Sequence, residues 1–152
     1  MGSRNKYETD LATGRIRLDR TLLTATRYPA DYGYVPDTLT GDGDPLDCVG
    51  LVEEPTFPGC LIRARPLGVF WIDDEKGRDS KILAVPVNNL RQGWTDIDEL
   101  PRHLLLEISH FFQIYKELEP GKSSQVHGWD GRREAEREVE EARQRHRARA
   151  AC

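Results

Sequence analysis

Short runs rich in β-branched and aromatic residues, each cut by a turn cluster, dominate the first hundred positions of the chain. They fall at residues 15–20, 49–52, 60–65, 67–72 and 81–87, with turns predicted over 40–43, 55–59 and 73–79. Arg15-Ile16-Arg17-Leu18-Asp19-Arg20 alternates polar with apolar side chains, the period-two signature of a half-buried strand. Many short strands joined by Gly- and Pro-containing turns favour a barrel or sandwich over a parallel α/β sheet, which would need intervening helices. The period then changes. Asp98 is placed to cap a helix, with Pro101 near its first turn. Leu104, Ile108, Phe111, Tyr115 and Leu118 follow at helical spacing, and Pro120-Gly121 ends the stretch. A second helix is predicted over about residues 133–149, glutamates early and arginines late, in the order the helix dipole favours. Ala135, Val139 and Ala142 give that helix only a thin apolar stripe, so it is expected at the surface. No repeat or linker interrupts the pattern, and one domain spanning 1–152 is expected.

Composition narrows the classes. The chain has 152 residues, 38% hydrophobic and 32% charged, enough for one domain with a real core and a wet surface. No apolar run approaches the roughly 20 residues of a membrane helix. No apolar segment near Met1 resembles a secretion signal, so a cytoplasmic location and no membrane partner are expected. The net charge of −4 argues against a dedicated nucleic-acid binder. Cys48, Cys60 and Cys152 fit no zinc or disulfide spacing and read as reduced thiols, the first two as small core residues.

The candidate chemistry is acidic. Asp42, Asp44 and Asp47 crowd three carboxylates into a loop tightened by Gly43 and Pro45. Two carboxylates about 4 Å apart repel by roughly 4 kcal/mol at an effective dielectric of 20, so solvent, protons or cations must offset them. All-oxygen donor sets suit Mg²⁺ and Mn²⁺. Alone, such a run is more often a solvated turn, and its offsets do not match a calcium loop of the EF-hand type. Asp73, Asp74, Glu75 and Asp79 form a second acidic cluster, with Lys81 close behind. Lys6, Arg20, Lys81 and Lys116 could meet a polyanion, with Tyr28, Tyr32 and Tyr115 as hydroxyl donors. Taken singly each has a bland reading; together they are what metal-assisted phosphoryl chemistry requires.

Several segments, in order, resemble one family. They are Asn5-Lys6-Tyr7-Glu8, Leu18-Asp19-Arg20, Tyr28-Pro29-Ala30-Asp31-Tyr32-Gly33-Tyr34 and Asp42-Gly43-Asp44-Pro45-Leu46-Asp47. Asp74-Glu75 through Asp79 to Lys81, His110-Phe111-Phe112, Tyr115-Lys116 and Leu118-Glu119-Pro120-Gly121-Lys122 complete the set. The chain resembles the soluble, magnesium-dependent inorganic pyrophosphatases of bacterial type (family I), whose signature is the Asp-Gly-Asp-Pro-Leu-Asp run. The resemblance implies a mainly β fold with α, an OB-like closed β-barrel flanked by two C-terminal helices, assembled as a homohexamer. It implies hydrolysis of pyrophosphate by direct attack of a metal-activated water, with several Mg²⁺ ions per site and Mn²⁺ or Zn²⁺ as possible substitutes.

The resemblance also implies roles. Asp42, Asp47, Asp74 and Asp79 would hold the cations, with Glu8 near the metal, and Asp79 and Asp47 each shared between ions. Asp44 would take the proton of the attacking water. Lys6, Arg20, Tyr32, Tyr115 and Lys116 would hold the phosphoryl groups, with Lys81 beside them. Three departures accompany it. The family's N-terminal strand, with its Glu-Ile-Pro segment, is expected to be missing ahead of Asn5, as in a shortened chain. Ser123 follows Lys122 where relatives carry an aromatic residue. The arginine-rich end, residues 143–152, has no family role. A catalytically impaired pyrophosphatase-like protein and, from another class, an OB-like nucleic-acid-binding module are the competing readings.

Overall fold

The computed structural model describes residues 1–88 and 93–151. Strand β1 (Asn5–Thr9) pairs antiparallel with β2 (Ile16–Thr21), placing Lys6 opposite Arg20 and Glu8 opposite Arg17. Asp10 closes the connection: its Oδ1 accepts from the backbone N–H of Ala12 and Thr13 at 2.9 and 3.1 Å. A five-stranded sheet follows, built from β3 (Asp31–Tyr34), β4 (Asp47–Gly50), β5 (Ala64–Asp74), β6 (Gly77–Pro86) and β7 (Ser124–Gly131) in the order β3-β4-β6-β5-β7. The helices are α1 (Arg102–Ile114) and α2 (Arg132–Ala150).

Two helices cover the two faces of the sheet, and the strand sequences show why. Phe70 and Ile72 of β5, with Leu83 and Val85 of β6, point to one face and pack with Ile108, Phe111, Phe112 and Tyr115. The alternate residues Val69, Ile82 and Ala84 point to the other, against Leu46 and the α2 residues Ala135 and Ala142. A strand buried on both faces reads as an unbroken apolar run, which is how residues 67–72 read. The thin stripe of α2 is therefore a close-packed contact: Ala135 and Ala142 are fully buried, and Val139 packs partly buried against the same cluster.

The mainly β class with two C-terminal helices is as expected. Closure is not made by the hydrogen-bond ladder: β3 and β7 end the sheet, and β1–β2 is a separate hairpin. Local boundaries also differ. Residues 60–63 form no strand, Leu61 is exposed, and β5 starts only at Ala64, opposite Pro86, which has no N–H to extend the ladder. The turn predicted over 73–79 shrinks to Glu75-Lys76, because Asp74 and Gly77 pair across the hairpin. Asp96, rather than Asp98, caps a single turn at Ile97–Glu99 ahead of α1, and Pro101 directly precedes the helix. The helix stops at Ile114, so Tyr115 closes its stripe and Leu118 lies exposed beyond it.

Cys48 and Cys60 are free thiols. Cys48 packs beside Leu46 and Ile82, and burial, then the charge of Asp47, pushes its thiol up to about 12, so it stays neutral. Cys60 is partly buried in its loop but joins neither core cluster, and Cys152 lies outside the described residues. Among the described residues no helix is long and apolar enough to cross a membrane.

Candidate active site

The register of the sheet assembles the site. Asp47 begins β4, opposite Tyr34 on β3 and opposite Lys81 on the parallel strand β6. Two residues before Lys81 on the same face stands Asp79, and Asp74 ends the neighbouring strand β5. Lys81, 1% exposed, is the centre. Its Nζ donates to Asp47 Oδ2 at 2.8 Å, to Asp79 Oδ1 and Oδ2 at 3.0 and 2.9 Å, and to the Tyr32 hydroxyl at 3.1 Å. The Tyr32 hydroxyl in turn donates to Asp47. The ammonium also lies over the rings of Phe112 and Tyr32, 5.2 and 5.4 Å from their centroids.

One buried cation between two carboxylates leaves an excess of negative charge. Burial alone would lower the Lys81 pKa, but Asp47 and Asp79 raise it more, so the ammonium stays charged. Asp79 is pushed up from the usual carboxylate range, first by burial and then, against the pull of Lys81, by the repulsion of Asp47. The two directions agree: the cation is held firmly and the second anion is under-compensated.

Ion pairs radiate from this centre. Lys116, at the end of α1, meets Asp74 at 3.0 Å and Glu75 at 3.8 Å, and Lys122 meets Glu75 at 2.5 Å. Arg20 lies between Asp19 at 2.5 Å and Glu119 at 3.0 Å. Lys6 pairs with Glu8 at 3.0 Å and Asp19 at 3.5 Å. On the acidic loop, Asp42 Oδ1 accepts from the Thr40 hydroxyl at 2.5 Å and the Asp44 N–H at 3.2 Å. Lys76, at the tip of the β5–β6 hairpin, reaches Asp44 at 3.2 Å and Asp42 at 3.8 Å. Asp44 itself is 65% exposed, open to water. Tyr28, Tyr32 and Tyr115 line the apolar floor with Phe111 and Phe112; burial raises the pKa of all three phenols. The Tyr28 hydroxyl is buried and finds no hydrogen-bond partner among the described residues.

This geometry has relatives. A family model described as inorganic pyrophosphatase matches residues 1–147. The chain belongs to the inorganic pyrophosphatase family. An inorganic pyrophosphatase of Streptomyces coelicolor is 55% identical over 145 residues, covering 95% of this chain and 89% of that one. The crystal structure of the Thermus thermophilus inorganic pyrophosphatase superposes with a TM-score of 0.93 at 43% identity, covering 96% and 86% of the two chains. A solved structure of the Helicobacter pylori inorganic pyrophosphatase gives 0.92 at 39% identity, covering 96% and 88% of the two chains.

The residues singled out from the sequence divide into three groups within this family fold. Asp47, Asp79, Lys81 and Tyr32 are in direct contact, and Asp74 and Lys116 form the adjoining pair. Asp42 and Asp44 share one loop and meet through Lys76. Lys6, Arg20 and Glu8 sit together on the β1–β2 hairpin, and Glu8, bound to Lys6 and Arg17, touches none of the other acids singled out. Among the described residues no three acidic, His or Cys side chains already converge as a metal cage; ammonium groups stand between the carboxylates. Sequence reasoning gave no role to Asp19, Glu119, Lys76 or Lys122. Asp19 and Glu119 lie inside family-like segments beside Arg20 and Lys116, a usable signal. Lys76 is visible only once the hairpin brings it to the acidic loop. A shallow groove of about 650 Å³ by Pro36, Arg143 and His146 contains none of these residues.

Proposed function

We propose that this chain hydrolyses inorganic pyrophosphate to two phosphates, acting as an inorganic diphosphatase with Mg²⁺. The observation that carries the reading is the under-compensated carboxylate pair Asp47 and Asp79 around buried Lys81, ringed by cations suited to a phosphate anion. The donor set fits hard divalent cations: Asp42, Asp47, Asp74 and Asp79 offer only oxygens, with Glu8 farther out, and Asp47 and Asp79 outnumber the one ammonium, Lys81, held between them. Mn²⁺ or Zn²⁺ would substitute. Bound there, such cations supply a water of near-neutral pKa and screening of the phosphate charge.

The chain's own groups do the rest. Lys6, Arg20, Lys116 and Lys81, with the hydroxyls of Tyr32 and Tyr115, bind and orient the two phosphoryl groups. Each cation exchanges a carboxylate partner for a phosphate oxygen, so the ion pairs seen here preorganise the donors. Asp44, exposed at the mouth, accepts the proton of the attacking water. Asp79 contributes both to cation binding and to holding Lys81. Water attacks one phosphorus directly, its proton passing to Asp44, while the bridging P–O bond breaks and the second phosphate leaves; no phosphoenzyme forms. The same reading makes the chain a single cytoplasmic domain that assembles as a homohexamer, with no nucleic-acid or membrane partner. The exposed apolar face of the β1–β2 hairpin supports self-association.

Two substitutions test the division of labour. Asp44→Asn is expected to lower kcat by roughly 10²- to 10⁴-fold, the range of a lost general base, while Mn²⁺ binding by calorimetry stays close to wild type. Asp47→Asn is expected to weaken Mn²⁺ binding itself. Wild-type turnover in Asp44→Asn would remove Asp44 from the mechanism.

A further inference from the structure

The arginine-rich end of α2 meets the acidic loop from behind. Leu39, three residues before Asp42, has both backbone groups tied to that helix. Its N–H donates to the Ala142 carbonyl at 3.0 Å, and its carbonyl accepts from Arg145 Nε at 2.8 Å. Arg145 Nη2 also donates to Glu138 Oε1 at 3.2 Å, and the same oxygen accepts from the Ser80 hydroxyl at 3.3 Å. Ser80 is buried on β6 between Asp79 and Lys81. One continuous path, Leu39–Arg145–Glu138–Ser80, therefore joins the loop of Asp42, Asp44 and Asp47 to the strand of Asp79 and Lys81.

We propose that Arg145 is a positioning residue, bracing the acidic loop against β6 so that the two carboxylate groups keep the spacing the reaction needs. The inference rests on the functional reading above. Inside the loop, bonds such as Thr40 N–H to the Asp44 carbonyl at 2.8 Å fix its shape but not its distance from β6. At Asp47 the loop enters β4 and is already registered on β6 by the parallel ladder, so the side-chain path holds the other end, at Leu39; guanidinium geometry suits it, because one planar fork serves a carbonyl and a carboxylate at once. An ammonium in the same place reaches one partner well. Arg147, two residues beyond Arg145, pairs with Glu140 of its own helix and, among the described residues, with no other acid; it serves as the control.

The test compares wild type, Arg145→Ala, Arg145→Lys and Arg147→Ala as full chains. Amide hydrogen exchange of residues 39–44 without metal, Mn²⁺ affinity by calorimetry, and kcat and KM for pyrophosphate are read. Arg145→Ala is expected to speed exchange in the loop alone and weaken Mn²⁺ binding about 10- to 100-fold, as loss of a supporting contact does. Its kcat falls while KM holds, because Lys6, Arg20 and Lys116 lie on other elements. Arg145→Lys recovers part of each effect, and Arg147→Ala leaves all three readouts at wild type. Wild-type loop exchange in Arg145→Ala, or faster exchange spread over the whole protein, would overturn the brace. A wild type that binds no Mn²⁺ would sink the metal reading instead, leaving loop exchange and kcat to judge Arg145.

Discussion

Lys81 shows how one residue can be both structural and chemical. A buried ammonium is tolerable only because Asp47, Asp79 and Tyr32 surround it, and that arrangement leaves net negative charge in the pocket. Lys81→Met is therefore expected to destabilise the metal-free protein by about 3–5 kcal/mol, the range for breaking a buried pair and stranding its partner. Urea unfolding in EDTA and again in Mg²⁺ checks this: the deficit should shrink with the cation present, and an equal deficit in both would contradict it. At this scale the sequence was informative about identity and less so about contact. The residues of the Asp-Gly-Asp-Pro-Leu-Asp run were legible as a set. The pairing of Asp47 with Lys81 was not, because it depends on a parallel register between β4 and β6, strands more than 25 residues apart in the chain. Likewise Lys76 carries no local signal; only a two-residue hairpin turn aims it at Asp44.

At the scale of elements, periodicity found what had a period. Helix α1 and the long strands β5 and β6 were visible because their apolar positions persist over several turns or pleats, and α2 because its glutamates precede its arginines. Strands β1, β3 and β7 were missed in the period reading because charged, tyrosine and glycine positions dominate them, and they are held by pairing more than by pattern. Close packing between elements gives a direct check. A Cβ on Gly68 would stand 2.7 Å from the Asp130 carbonyl of β7 and 2.7 Å from Ile97 Cδ1. Neither the strand backbone nor a core isoleucine can retreat freely. Gly68→Ala is expected to cost about 1–3 kcal/mol through overpacking, read as a lower urea midpoint at unchanged slope. An unchanged midpoint would mean that β5 and β7 are not packed as described.

For the whole molecule, the apolar hairpin face and the open acidic site are the two surfaces left to explain. Tyr7 and Leu18 are cross-strand partners, and with Ile16 they remain 45%, 55% and 41% exposed. A homohexamer would cover that face, so Leu18→Asp is expected to yield smaller species by light scattering; an unchanged mass would place the contact elsewhere. On the other surface, the carboxylates and cations of the hairpin, the sheet and the end of α1 are proposed to make one pyrophosphate-hydrolysing centre. Phosphate release from pyrophosphate by the full chain, with Mg²⁺ and again with EDTA, tests it most directly. Sustained turnover with Mg²⁺ that EDTA abolishes is the predicted result. No release with Mg²⁺, from protein shown to be folded, would contradict it.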